Sequence, residues 1–167
     1  MSPQLTGSVE PEHGLDSSFY SASELKQLFQ WVGKSLDAIQ LSQGRLQGRF
    51  RVVNLGGIAL VEVQTNQQLL LNGDRGHDCM SFCIEATGLA DECKLHNVPI
   101  AKYSLNGFRQ GQTESHFQLS ANSTTYLAIP SISRFNAFLS HCGAEDIIED
   151  LKIGLDAASK ATTTVAA

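Results

Sequence analysis

The sequence predicts a mainly β domain, a barrel or a sandwich, with one helix near its amino terminus and helices near its carboxyl terminus. Several short runs alternate apolar with polar residues, small-residue turns separate them, and helical spacing of apolar residues shows only towards the two ends. No long helices alternate with the strand signals, which argues against a doubly wound fold. At 167 residues the chain is long enough for one domain with a substantial core and short for two.

Twelve Lys and Arg against seventeen Asp and Glu give a formal charge of -5, so the chain as a whole lacks the electrostatic footprint of a free-standing nucleic-acid binder. The opening "MSPQLTGSVEPEHG" is polar where a secretory signal needs an apolar run. Nowhere is there an apolar stretch long enough to span a bilayer, and a cytoplasmic protein is expected.

Residues 1–18 are predicted to be a flexible lead-in, 19–157 the folded domain, and 158–167 a flexible tail or the start of a linker. The first helix falls in "SASELKQLFQWVGKSLDAIQLSQG", where Ser21 and Glu24 have the spacing of a capping box. Leu25, Leu28, Phe29 and Val32 make its apolar stripe, Trp31 adjoins it, and Gly33 weakens it. From Arg45 to Val52 the pattern changes to period two. Leu46, Phe50 and Val52 share one side, with Gly48 in register, and Arg45, Gln47, Arg49 and Arg51 share the other, as in a half-buried antiparallel strand. Three exposed arginines are able to receive an acidic ligand or partner, or to cover apolar neighbours with their stems.

"NLGG" then supplies a turn, Ile58 to Val63 resumes the strand signal, and "QQLLLNG" adds a run closed by Asn72 and Gly73. Further strand signals cover Cys79–Ala86, Ile100–Phe108 and His116–Ile129, for a total of roughly five to eight short strands. After Pro130, Ser133 is placed to cap a helix in which Phe135, Phe138, Leu139 and Cys142 recur at helical spacing, and Gly143 is placed to end it. A second helix follows in "EDIIEDLKIGLD", with Ile148, Leu151 and Leu155 as its stripe.

The four cysteines read as free thiols in a reducing compartment. On an extended strand Cys79 and Cys83 share a face about 13 Å apart, too far for a disulfide or a shared zinc.

The stretch "SELKQLFQWVGKSLDAIQLSQGRLQGRFRVVNLGGIALVEVQTNQQLLLNG", continued by "YLAIPSISRFNAFLSHCG", resembles the amino-terminal sensing region of bacterial regulators of the AraC family. The likeness is greatest to members whose sensor begins with a short helix followed by "QLSxGxxxG", and it covers about residues 20 to 143. It implies a cupin-like barrel or sandwich with terminal helices that binds a small-molecule effector or a regulatory protein and contributes to a homodimer. In that family two helix-turn-helix units follow the sensor, so DNA contact is expected only through an additional domain outside this chain.

On the sensor interpretation, Phe50, Tyr103, Phe108, His116 and Tyr126 are the ligand-binding candidates, with His77 a further one, and Leu151 and Leu155 are the dimerisation candidates. Cupin metal sites often use a closely spaced histidine pair, and no HxH occurs here; His77, His96, His116 and His141 are scattered. There is no nucleophile elbow and no phosphate loop with a lysine. The expectation is therefore a non-catalytic module without metal or cofactor. A stand-alone cupin-like interaction protein is the alternative, and a metal-dependent small-molecule enzyme ranks third.

Overall fold

A short strand, β1 (Leu15–Phe19), opens the folded part of the computed structural model, which describes residues 14–76, 78–88, 92–100, 105 and 114–144. Its sequence LDSSF alternates, with Phe19 fully buried and Asp16 and Ser18 outside. The lead-in expected over residues 1–18 thus already contains strand from Leu15. Two serines and an aspartate in a five-residue run hid it.

Helix α1 (Ala22–Trp31) follows, and the capping residues act as expected. The Glu24 N–H donates to Ser21 Oγ at 3.2 Å, while the Glu24 carboxylate accepts from the Tyr20 N–H at 2.6 Å, one residue earlier than in a reciprocal box. Leu25 and Phe29 are fully buried, but Trp31 is 44 % exposed, because the last helical residue falls off the stripe. Next comes β2 (Ser35–Gln40), in which only Leu36 is buried, too weak an alternation to be read from the sequence.

The strands β3 (Gly48–Leu55) and β4 (Ile58–Thr65) form the predicted hairpin, with Phe50 opposite Val63 and Val52 opposite Val61 on the inner face. Gly56 and Gly57 make its two-residue turn at φ of 58° and 84°, the paired left-handed conformation that matches the twist of the strands. In β5 (Leu69–Asp74), Asn72 and Gly73 continue the strand instead of closing it. Gly73, at φ 138°, allows β2 to pass so closely that a Cβ would lie 2.4 Å from the Ser35 carbonyl oxygen.

The remaining strands are β6 (Phe82–Thr87), β7 (Lys94–Leu95), β8 (Val98–Pro99), β9 (Glu114–Leu119) and β10 (Ser123–Pro130), and α2 (Ile132–Cys142) comes last. The cap of α2 is Ser131 rather than Ser133: its hydroxyl accepts from the Arg134 N–H at 3.3 Å. Most of the expected strand over residues 100–108 and the whole of the expected second carboxyl-terminal helix lie outside the described residues.

The described strands form two five-stranded sheets in the orders β1-β3-β4-β10-β6 and β2-β5-β9-β7-β8. Neither closes on itself, so no sheet is a barrel. Both bury side chains in one core: Phe50, Val61 and Val63 come from the first, Leu69, Phe117 and Leu119 from the second, and Leu25 and Phe29 join them from α1. Among the described residues no helix is long and apolar enough to cross a membrane.

Candidate functional site

Alternate residues of an extended chain share a face, and along β6 and the residue before it that rule turns Ser81, Cys83 and Glu85 inward, all buried. Opposite them on β10 stand Leu127, paired with Cys83, and Thr125, paired with Glu85. A polar row therefore runs where the core of two packed sheets is ordinarily apolar.

At one end of this row lies Lys34, placed by the turn between α1 and β2 and only 2 % exposed. Its Nζ donates to Ser81 Oγ at 2.5 Å and to the Arg75 carbonyl at 3.2 Å, and lies 3.9 Å from Cys79 Sγ. Among the described residues no carboxylate lies within ion-pair distance of it. Burial pushes the Lys34 ammonium below the usual lysine value; Cys79 and, more weakly, Asp74 oppose that fall and the Arg75 guanidinium adds to it. Lys34, Arg75, Ser81 and Ser115 give the polar wall of a cavity of about 30 Å³, with Leu36 and Phe117 on its apolar side. That volume has room for one or two waters.

Further along the row Glu85 is 1 % exposed, and neither of its carboxylate oxygens makes a hydrogen bond of normal geometry. Among the described residues the hydroxyl of Thr125 facing it has no partner either. Burial pushes the Cys83 thiol up to about 12, Glu85 adding to the rise and Arg75 and Lys34 opposing it. Burial, reinforced by Glu85, also raises Cys93. Both thiols remain protonated near neutral pH and are poor nucleophiles in that form.

The outer face of the first sheet is divided. Its polar half holds Arg49 and Arg51, both already engaged: Arg49 donates to Asp16 at 2.7 and 2.6 Å and Arg51 pairs with Glu62, while Arg45, in the loop before β3, stands 6.0 Å over the Tyr20 ring. The hydrogen bonds from Arg49 hold the Asp16 carboxyl below its usual value. The other half is a groove of about 500 Å³ bordered by Val53, Leu60, Phe82, Ile84, Leu105 and Tyr126. Phe135 of α2 meets Phe82 with ring centroids 5.2 Å apart.

The described candidate ligand residues, Phe50, His116 and Tyr126, do not converge. Phe50 is fully buried in the core, and Tyr126 lines the outer groove of the first sheet. His116 lies on β9 of the second sheet, opposite Asn72, on the face away from the buried Ser115 and Phe117. Tyr103, Phe108 and His77, together with Leu151 and Leu155, lie outside the described residues. Sequence reasoning missed Lys34, Arg75, Ser81 and Glu85. For Glu85 a signal existed: a carboxylate at an inward position of "FCIEAT" is unusual enough to mark.

The four cysteines are free. Among the described residues no three His, Cys, Asp or Glu side chains stand close enough to hold a metal ion. Compared with protein-family models, curated proteins and solved structures, the chain matches none.

Proposed function

We propose that this chain is a non-catalytic sensing and dimerisation module of the AraC-like, cupin-like kind, in which an effector held between the two sheets biases the association of copies. DNA is reached only through units that such regulators carry outside this segment. The observation supporting the proposal is the polar interior around a buried lysine. Lys34 and Glu85 are both buried, and among the described residues neither has a counter-ion. Burying an unpaired charge costs several kcal/mol, roughly, and gives a pure scaffold nothing in return. An effector bringing complementary groups offsets that penalty, and by binding one arrangement better than another it shifts their populations.

The outer groove favours a second reading, a stand-alone interaction module that docks a protein on Val53, Leu60 and Tyr126. Light scattering of the full chain over a range of concentrations, with and without a panel of small acids, amines and sugars, separates the two. A dimer whose dissociation constant shifts with a ligand supports the sensor. A monomer at every concentration, unmoved by any ligand, overturns it. A protein complex abolished by Leu60→Glu but untouched by Lys34→Met establishes the second reading.

A further inference from the structure

The geometry points to the cavity beside Lys34 as an anion site built for the carboxylate of a short monocarboxylic acid. This deepens the sensor proposal by naming its ligand class, and the site itself rests on the cavity alone. Lys34 Nζ is held by a hydroxyl and a backbone carbonyl, with a thiol at 3.9 Å, all of them groups that orient an ammonium without cancelling its charge. The guanidinium-bearing Arg75 lines the same cavity, so two cationic residues border one small space. The neighbouring acid, Asp74, is exposed and acts on Lys34 from beyond ion-pair distance. A carboxylate entering the cavity gives Lys34 the close negative charge that no described carboxylate supplies, and the hydroxyls of Ser81 and Ser115 stand in the same wall as donors for its oxygens.

The remaining walls select among anions. Leu36, Leu71, Phe117 and Leu127 offer hydrocarbon, which suits an alkyl tail and disfavours phosphate, whose oxygens all need partners. A cavity of about 30 Å³, room for one or two waters, limits the acid to one as small as formate or acetate. Glu85 adds a further restriction. It lies two residues beyond the cavity-lining Cys83 on the same face, about 7 Å along the strand, so a second carboxylate extending inward would meet another acidic side chain and no donor.

The test is titration of the full chain with formate and with acetate at constant ionic strength, followed by calorimetry and by thermal melting, with chloride, phosphate and succinate as comparisons. Saturable one-site binding of the monocarboxylates, with a rise in melting temperature, is expected. Lys34→Met should weaken it by about tenfold or more while circular dichroism shows a folded chain. If that variant does not fold, Ser81→Ala replaces it and should weaken binding several-fold, whereas Leu60→Glu on the outer face should bind as wild type does. Formate and acetate acting no more strongly than chloride would overturn the assignment. So would binding unchanged in the cavity variants, or phosphate or succinate binding as tightly. Intact acetate binding with no effect on the dimer would overturn the sensor proposal and leave the anion site standing.

Discussion

Phe29 and Phe50 meet edge to face, their ring centroids 5.2 Å apart at an interplanar angle of 83°, and this contact fastens α1 to the first sheet. Both rings are fully buried. Phe50→Ala should therefore destabilise the fold by about 3–5 kcal/mol in urea unfolding, the usual range for deleting a core aromatic. A loss under about 1 kcal/mol would show that the ring is dispensable to the core and return Phe50 to the list of ligand residues.

Lys34→Met removes a buried charge that has no counter-ion among the described residues, and without ligand it should raise stability near neutral pH by about 1–4 kcal/mol. The sign of the pH dependence follows from the lowered pKa. Unfolded Lys34 holds its proton up to about the ordinary 10.5, and the folded chain releases it earlier. Between the folded value and 10.5 the unfolded state binds more protons, so the contribution of Lys34 to stability grows with rising pH through that window. The advantage of Lys34→Met over wild type should shrink accordingly when melting is followed towards alkaline pH. An advantage constant across the window would refute the account.

The thiols should separate by access. Cys142 is exposed and Cys79 half-buried, whereas Cys83 and Cys93 are buried, so a thiol reagent on the native chain should modify Cys142 first and reach Cys83 and Cys93 only on opening of the fold. The protonated Cys83 thiol leaves stability intact below its ordinary 9.0 and lowers it as pH rises towards about 12, since the unfolded thiol ionises first. Peptide mapping after timed labelling checks the order; early modification of Cys83 would contradict its burial.

Leu151 and Leu155 provide the assembly test although they lie outside the described residues. On the sensor proposal, replacing both with glutamate should turn a dimer into a folded monomer, seen as a halved molar mass with unchanged circular dichroism. An unchanged dimer would exclude them from the interface. General unfolding would assign them to the core of their own chain.

Local signals were legible because their causes are local. The alternation of Phe50 and Val52 with Arg49 and Arg51, the paired glycines of the hairpin and the hydroxyl cap of α1 each depend on residues within a few positions. The cap of α2 was displaced from Ser133 to Ser131 because Pro130 still belongs to β10, so the helix starts directly after the strand. The interior site was not legible for a different reason. Lys34 and Ser81 are 47 positions apart, and nothing near either one announces the other. Whether the lysine faces water or the core depends on how the residues around Arg75 and β6 close over it. Period-two alternation gives faces, but only the pairing of distant strands decides which groups share an interior.

The Gly56-Gly57 turn also bears on the order in which the chain folds. It makes the pairing of β3 with β4 the most local in the first sheet, with Leu55 and Ile58 already neighbours, and a hairpin of this kind closes in about 1–10 μs. Strand β10 has to return from beyond residue 120 to lie between β4 and β6, and the entropy of closing that long loop comes before any contact rewards it. On these grounds the hairpin is expected to form first and β10 to arrive late. A side chain at Gly57, where φ is 84° and a Cβ would meet the Arg134 guanidinium at 2.5 Å, should slow refolding, whereas trimming Leu127 or Ile129 should mainly hasten unfolding.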